Sequence, residues 1–247
     1  MPEKDTPWPF RPLAGRVKMN EELERLLNYS ACEISDALLT LGVPGAGFLP
    51  DIGPINTGNK VVAPAVTVLF VPRASPSFPT LIPSDFSTTP DSNIPDGSIY
   101  ADMALPDTIV VMSQPRGTRT ATMGGLMAAR MRKIGVKGIL VDGRVRDVKQ
   151  LRELVDIPVW ARATSIVATR GECRAHAVNV PIHIGGTRVE QRDIVMLDPE
   201  DGCAVCIPKD KLGLVLEMAP KFAVDDETKM QRVMRGMKVE DAIKESI

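Results

Sequence analysis

Hydrophobic residues recur with two different spacings along the middle of the chain. Residues 60–72 (KVVAPAVTVLFVP) are rich in β-branched side chains and predict a buried strand. From Asp107 onward, short β-branched runs alternate with stretches that repeat apolar residues at helical spacing. Such alternation is typical of an α/β unit with parallel strands. The predicted elements are strand 108–113, helix 121–135, strand 136–142, helix 147–155 and strand 158–163.

The two ends of the chain predict an arm and several further helices. Residues 1–19 are proline-rich and aperiodic, which indicates an extended N-terminal arm. Asn20 is a candidate N-cap for a helix whose apolar face includes Leu23 and Leu26. Further helices are predicted at Glu33–Leu41, Lys209–Ala219, Asp225–Arg235 and Val239–Glu245, and short strands at 177–184, 193–198 and 202–208.

A segment rich in Ser and Pro interrupts this pattern at residues 74–96. It contains five prolines and lies between segments that both belong to the predicted core. Long loops of this composition are usually surface insertions within a domain. The sequence therefore predicts one domain over residues 20–247 that carries a Ser/Pro-rich insertion at 74–96.

The charge balance limits the classes of partner. The 247 residues include 30 Lys and Arg and 31 Asp and Glu, so the net charge is -1. A nearly neutral chain gives no domain-wide reason to bind nucleic acid, which requires clustered cations. The longest apolar stretch, residues 61–72, contains Pro64 and is shorter than the ~18 residues of a membrane span. We therefore expect a cytoplasmic protein with neither a nucleic-acid nor a membrane partner.

The cysteine and histidine motifs favour structural explanations. Cys203 and Cys206 form a CxxC motif inside a predicted strand, where an offset of three puts the side chains on opposite faces. Cys173 and His176 form a CxxH motif without a second cysteine pair. Zinc is the less favoured explanation of both motifs.

Gly124 and Gly125 stand where a loop ends and a predicted helix begins. The first backbone amides of a helix have no partner within it, so this position attracts anions such as carboxylate or phosphate. Close packing of the helix against the sheet explains the two glycines equally well. The pattern alone leaves both interpretations open.

Arg146 and Asp147 follow the next strand in the sequence VDGRVRDV. Ligands of α/β sheets bind outside the carboxyl ends of the strands, so we expect this turn and the helix start at Gly124 to face one crevice. Arg146 can bind a carboxylate or keto oxygen, and Asp147 can bind a hard divalent cation. The competing interpretation is that Asp147 simply caps the following helix.

Several blocks of the sequence resemble the RraA-like family. The resemblance runs from about Leu27 to Glu245 without the 74–96 insertion, and its densest motif is GRVRDV. GGLM at the helix start most resembles the fungal-type members. The matching blocks are YSACEISDALLTLGVP, KVVAPAVTVLFVP, GGLMAARMRKIGVKGILVDGRVRDVKQLRELVDIPVWARATS and DIVMLDPEDGCAVCIP.

This family includes 4-hydroxy-4-methyl-2-oxoglutarate aldolases, oxaloacetate decarboxylases and regulators of ribonuclease activity. The resemblance implies an α/β fold, a single β/β/α swivelling-type domain with N- and C-terminal helices, assembled as a homotrimer or hexamer with sites at subunit boundaries. It implies a lyase that cleaves a small anionic 2-oxo acid through a pyruvate enolate. By this resemblance Asp147 binds Mg²⁺ or Mn²⁺, Arg146 binds substrate and stabilises the enolate, and the amides of Gly124, Gly125, Leu126 and Met127 bind the pyruvate carboxylate.

Two positions depart from the family pattern. Many members carry Asp or Glu where this chain has Gly125, and aldolases of the family often have an acidic residue where it has Gln150. Two alternatives therefore stand beside the lyase hypothesis. One is an enzyme of specialised metabolism that uses the same scaffold on a different substrate, and the other is a non-catalytic regulatory protein.

Overall fold

A mixed sheet with four neighbouring parallel strands forms the centre of the computed structural model, which describes residues 16–78 and 90–244. The strands in chain order are β1 (Gly53–Pro54), β2 (Val61–Pro72), β3 (Ile109–Ser113), β4 (Gly138–Val145), β5 (Val159–Thr164), β6 (Cys173–Val178), β7 (Ile182–Ile184), β8 (Thr187–Val189), β9 (Ile194–Asp198) and β10 (Cys203–Ile207). Strands β2, β3, β4 and β5 are parallel neighbours. The predicted α/β class with parallel strands is confirmed.

Antiparallel strands extend the parallel group on both sides. Strand β1 pairs with β5, while β9 and β6 pair with successive halves of the free edge of β2. Strand β10 pairs with β9, and β7 and β8 form a separate hairpin. Strand β2 therefore joins the parallel group to the antiparallel strands of the C-terminal half.

Six α-helices surround the sheet in the described ranges. They are α1 (Arg16–Leu26), α2 (Ala31–Thr40), α3 (Gly125–Ile134), α4 (Val148–Arg152), α5 (Leu212–Met234) and α6 (Val239–Lys244). Short 3₁₀ turns lie at Pro44–Gly47, Tyr100–Met103 and Thr169–Gly171. None of these helices combines the length and apolar character needed to cross a bilayer.

Alternate residues of the strands supply two cores, one on each face of the sheet. Val68 and Phe70 of β2 pack with Met131 of α3 on one face, and Ala63 and Ala65 pack with the hairpin β7–β8 on the other. A third core lies between β9, β10 and the helices α1, α2 and α5. This alternation follows from the period of two along a strand.

Several helix boundaries differ from the prediction; α3, for example, begins at Gly125 and not at residue 121. Helix α1 begins at Arg16, so Asn20 lies inside it; residues 1–15 of the predicted arm lie outside the described residues. Helix α2 begins earlier than predicted because Ser30 and Glu33 form a capping box at its start. Helix α4 ends at Arg152, before the predicted residue 155.

The two helices predicted at 209–219 and 225–235 are one continuous helix, α5. Pro220 lies inside it, although a proline in the interior of a helix usually kinks or breaks that helix. A proline removes one backbone donor and leaves the carbonyl four residues earlier, that of Leu216, without its helical partner. The Arg25 guanidinium of α1 donates to that Leu216 oxygen at 3.4 Å, so a neighbouring helix supplies the missing donor.

Candidate active site

The predicted site residues lie together at the carboxyl end of the parallel strands. The segment before α3 runs beside the end of β4, where Thr122 N donates to the Arg144 oxygen at 2.8 Å. Arg146 N then donates to the Met123 oxygen at 3.0 Å. These bonds hold the start of α3 against the turn that carries Asp147. The shared crevice expected from the strand order is therefore present.

Asp147 has a backbone conformation that few non-glycine residues adopt. Its φ is 59° and its ψ is 39°, in the left-handed region, where Asp is one of the better tolerated residues. Such a conformation stores on the order of 1–3 kcal/mol and is common at functional sites. The turn thereby aims the carboxylate at α3 and away from the helix that follows it.

The hydrogen bonds of Asp147 contradict the simple capping interpretation. No side-chain cap bond to its own helix α4 is present. Its Oδ2 instead accepts the amide of Gly125 at the start of α3 at 3.2 Å, and Arg146 Nε lies 3.6 Å from the same oxygen. Both side chains are partly exposed, Arg146 at 41% and Asp147 at 39%. The carboxylate is therefore oriented by α3 while it remains open to solvent and ligands.

The start of α3 lies so close to Asp147 that residue 124 must be a glycine. A Cβ at residue 124 would lie 2.2 Å from Asp147 Oδ2 and 3.0 Å from Arg146 Cγ. No side chain fits that space unless the carboxylate moves. The geometry therefore explains this glycine by the close approach of α3 to the turn of Asp147, which is neither of the two explanations that the sequence analysis left open.

The start of α3 presents backbone amides to the same crevice. The first bond within the helix is donated by Ala128 to the Gly124 oxygen at 3.2 Å. The Gly125 amide is used by Asp147, while the amides of Leu126 and Met127 have no partner among the described residues. The helix dipole adds to their attraction for an anion. The amides of Leu126 and Met127 are therefore available to bind an anion at the start of α3.

The two positions that depart from the family pattern contact each other. A Cβ at Gly125 would lie 1.9 Å from Gln150 Oε1 and 2.9 Å from Gln150 Cβ. The Gln150 side chain therefore occupies the space that a side chain at residue 125 would fill. In this chain the two departures, Gly125 and Gln150, therefore pack against each other.

A cavity of about 430 Å³ opens beside Arg146 and Asp147. Of the other residues predicted to bind substrate, Gly124, Leu126 and Met127 line it and Gly125 does not. The sequence analysis did not predict the other residues that line the cavity. The rule that ligands bind at the carboxyl ends of parallel strands could have indicated those in the turn after β5. The missed lining residues are Phe70, Ile94, Ser98, Ile99, Tyr100, Thr122, Met123, Ala168, Thr169, Arg170 and Ala175.

Both described ends of the 74–96 insertion are attached near this cavity. Ser77 N donates to the Gly171 oxygen at 2.8 Å, and Ser92 Oγ donates to the His176 oxygen at 2.7 Å. Asn93 exchanges two hydrogen bonds with Val178 of β6. The part of the predicted insertion at residues 79–89 lies outside the described residues. The anchored end brings Ile94 into the cavity wall.

A buried polar network fixes the loop between β3 and α3. Glu172 is 1% exposed and accepts the amides of Arg119 and Thr120 at 2.6 and 3.1 Å. Gln114 accepts the Arg144 amide at 2.9 Å and donates to the Thr120 oxygen at 2.7 Å. Satisfied buried networks of this kind restrict a loop to one conformation. The network therefore positions the segment that delivers Gly124 to Asp147.

The cysteine motifs do not form metal sites among the described residues. Cys206 packs on one face of the sheet and Cys203 against the third core, as the strand spacing predicted. Burial raises the pKa of the Cys206 and Cys173 thiols, which disfavours their thiolates. His176 Nε2 lies 2.6 Å from the Pro90 oxygen. The described ranges contain no cluster of three His, Cys, Asp or Glu residues that could hold a metal.

The fold belongs to a recognised class of proteins. The family model RraA-like, described as Aldolase/RraA, matches residues 31–205. A relative from Halalkalibacterium halodurans, provisionally named a 4-hydroxy-4-methyl-2-oxoglutarate aldolase, is 30% identical over 200 residues, which cover 81% of this chain and 82% of that protein. The chain therefore belongs to the RraA-like family, and the names in this family indicate a lyase-type enzyme.

Other similar proteins agree on the fold. DlpA of Legionella pneumophila is 26% identical over 96% of this chain, but the chain spans only 35% of the length of DlpA. Two solved structures superpose with a TM-score of 0.71 each. One is an uncharacterised Pseudomonas syringae protein, 22% identical over 94% of this chain and 99% of that one. The other is a Streptomyces coelicolor member of the RNase ES inhibitor RraA family, 24% identical over 90% of this chain and all of that one.

Proposed function

We propose that this protein is a divalent-metal-dependent carbon–carbon lyase that acts on a 2-oxo acid. The observation that carries the proposal is the Asp147 carboxylate, held by the α3 amide of Gly125 beside the Arg146 guanidinium at the mouth of a cavity. The aldolase name of the Halalkalibacterium relative supports the same reaction class.

The residues at this site fit Mg²⁺ or Mn²⁺. Mg²⁺ is usually bound by one or two carboxylates, with water and substrate oxygens as its other ligands. Asp147 is partly exposed, and its Oδ2 faces Gly125 and Arg146, so its Oδ1 is the oxygen that would bind a cation. A bound divalent cation would supply the Lewis acidity that polarises a 2-oxo group.

The residues of the chain have distinct roles in this proposal. The amides of Leu126 and Met127 bind the substrate carboxylate at the positive end of the α3 dipole. The Arg146 guanidinium stabilises negative charge as it develops on the keto oxygen, which becomes an enolate oxygen. Asp147 holds the cation, and Gly125 N fixes the direction of the carboxylate.

The same site serves two bond cleavages. In the decarboxylation of oxaloacetate, the bond from C3 to the leaving carboxylate breaks, CO₂ departs and the electron pair forms the enolate, which then takes a proton at C3. In a retro-aldol cleavage the 4-hydroxyl group must first lose its proton before the C3–C4 bond breaks. Aldolases of the family often have an acidic residue at the position of Gln150, and the Gln150 amide cannot replace such a residue as a proton acceptor. We therefore expect decarboxylation to be the faster of the two reactions.

The test is pyruvate release from oxaloacetate and from 4-hydroxy-4-methyl-2-oxoglutarate, with Mg²⁺ or with a chelator, after subtraction of the enzyme-free rate at the same Mg²⁺ concentration. Asp147→Asn and chelation should each lower the rate by about 100-fold or more, because several kcal/mol of transition-state stabilisation is lost. The control is Asp156→Asn, since Asp156 forms an exposed ion pair with Arg132. Release that survives both chelation and Asp147→Asn would reject the proposal.

A further inference from the structure

Residues 220–244 form a helical arm that extends beyond the cores of the domain. The buried residues of α5 all precede Pro220, and they are Leu212, Val215, Leu216 and Ala219. The structure describes every residue of this C-terminal arm, and Ala242 of α6 is its one buried side chain. Arg232 Nη1 of α5 donates to the Ala242 oxygen at 3.3 Å, so α6 is held against α5. The part of α5 in the arm, residues 220–234, extends over about 22 Å.

Apolar side chains are exposed on this arm. Met230 and Met234 are 63% and 79% exposed, and their spacing of four places them on one face of α5. Glu227, three residues before Met230, lies on the same face and is also exposed. Val239 and Ile243 of α6 are a further exposed apolar pair. Single exposed apolar side chains are common, whereas a group of them indicates a contact surface.

The charges at the two ends of this α5 face have opposite signs. Glu227 lies at one end, and Arg235 follows Met234 at the tip of the arm. Among residues 16–78 and 90–244, neither Glu227 nor Arg235 has an ion-pair partner; Glu227 Oε1 only accepts the Gln231 amide at 3.1 Å. The α5 face therefore runs from an unpaired anion, past two methionines, to an unpaired cation.

We propose that this face of α5 binds the same face of a second copy of the chain, with the two helices antiparallel about a twofold axis. Glu227 of each copy then lies near Arg235 of the partner subunit, and the methionines pack together between the two ion pairs. A parallel arrangement would instead place like charges side by side, so the charges favour the antiparallel one. A twofold contact of this kind uses the same surface on both copies.

The contact is small and distant from the chemistry. Two helix faces of this length bury little area, so we expect the pairing to be weak and to strengthen with protein concentration. The contact involves neither Arg146 nor Asp147, so its test is independent of the proposed lyase activity. The mass at low concentration is that of the assembly without the arm contact.

The test is sedimentation of the full chain over a wide range of concentration at low ionic strength. We expect the mass to double at high concentration, and Met234→Asp to prevent this doubling because it places a charge in the apolar centre of the contact. The control is Leu39→Asp, since Leu39 is exposed on α2 outside the arm, and it should behave as the unmodified chain. Equal masses for Met234→Asp and the unmodified chain at every concentration overturn the proposal.

A charge exchange tests the antiparallel arrangement. Glu227→Arg alone or Arg235→Glu alone turns two ion pairs into two contacts between like charges, so each should weaken the pairing about tenfold. The double variant Glu227→Arg/Arg235→Glu restores both ion pairs with their signs reversed and should pair as the unmodified chain does. If the double variant pairs no better than the single variants, or if the single variants pair normally, the two faces do not meet in this way and the proposal fails.

Discussion

At the scale of single residues, the contact between Gly124 and Asp147 determines the shape of the site. Gly124→Ala would place a Cβ 2.2 Å from Asp147 Oδ2, so the carboxylate must move. We expect lyase activity to fall about 100-fold, as is common when a catalytic group moves by about 1 Å. The measurement is kcat together with Mn²⁺ affinity.

Gly213→Ala is the matched control for that substitution. Gly213 lies in α5, where a Cβ would meet nothing within 4 Å. This variant should keep full activity and gain roughly 0.5–1 kcal/mol in stability, because alanine favours the helix. If Gly124→Ala were as active as Gly213→Ala, the carboxylate would not depend on the space left by Gly124.

Cys32 gives a prediction that depends on pH. Partial burial and the nearby Asp201 carboxylate raise its pKa from the ordinary value of 9.0 to about 11. A raised pKa means less thiolate, so alkylation by iodoacetamide at pH 8 should be about 100-fold slower than for a thiol of ordinary pKa. Peptide mapping should show the rate at Cys32 still rising above pH 9.

Asp201→Asn tests the cause of that shift. Asp201 Oδ2 accepts the Cys32 amide at 3.3 Å, so the negative charge lies close to the thiol. Removal of the charge should lower the pKa and speed alkylation at pH 8. A rate at Cys32 that levels off near pH 9 in the unmodified chain would contradict the raised pKa.

Part of the candidate site could be predicted from the sequence because its residues lie within two short segments of the chain. Gly124 opens a helix and Arg146 and Asp147 follow the adjacent strand, so the rule for strand ends brings them together. The cavity walls could not be predicted in the same way. Phe70 and Ala175 are neighbours only because β6 pairs with β2, across more than a hundred residues.

At the scale of elements, the continuity of α5 depends on a donor from α1. Arg25 Nη2 donates to the Leu216 oxygen that Pro220 leaves without a helical partner. Arg25→Ala should therefore destabilise the protein by about 1 kcal/mol, the usual net value of one hydrogen bond. Urea unfolding followed by circular dichroism measures the change.

A double-mutant cycle separates this bond from other effects of Arg25. In Pro220→Ala the helix regains its own amide donor to Leu216, so Arg25→Ala should cost much less in that background. If Arg25→Ala has equal effects in both backgrounds, the guanidinium does not replace the missing amide. In that case the continuity of α5 has another cause.

The helix boundaries show where sequence patterns fail. The apolar spacing on each side of Pro220 is helical, and a proline inside a helix is a local signal for a break. Tertiary contact overrides that local signal, because α1 and α5 pack in one core and bring Arg25 to Leu216. By contrast, Ser30 and Glu33 form a capping box that is visible in the sequence.

At the scale of the whole molecule, the order of the strands depends on contacts between residues that are far apart in the sequence. The sequence predicts β3, β4 and β5 as parallel neighbours because a helical segment separates each pair. It does not predict that β9 and β6 share one edge of β2, since the connections to β2 are long. The central position of β2 therefore emerges only in the complete fold.

Two exposed apolar side chains beside the cavity lead to the last prediction. Leu126 is 76% and Ile166 is 94% exposed, and both lie in segments that border the site. The family resemblance implies sites at subunit boundaries, so these two side chains are candidates for such an interface. We propose that copies of the chain meet here as a homotrimer. Sedimentation should then give a mass of about 80 kDa, three times the 26.8 kDa of one chain.

Ile166→Asp should reduce the mass measured by sedimentation, whereas the control Leu39→Asp on α2 should not. A monomeric unmodified chain would refute the assembly.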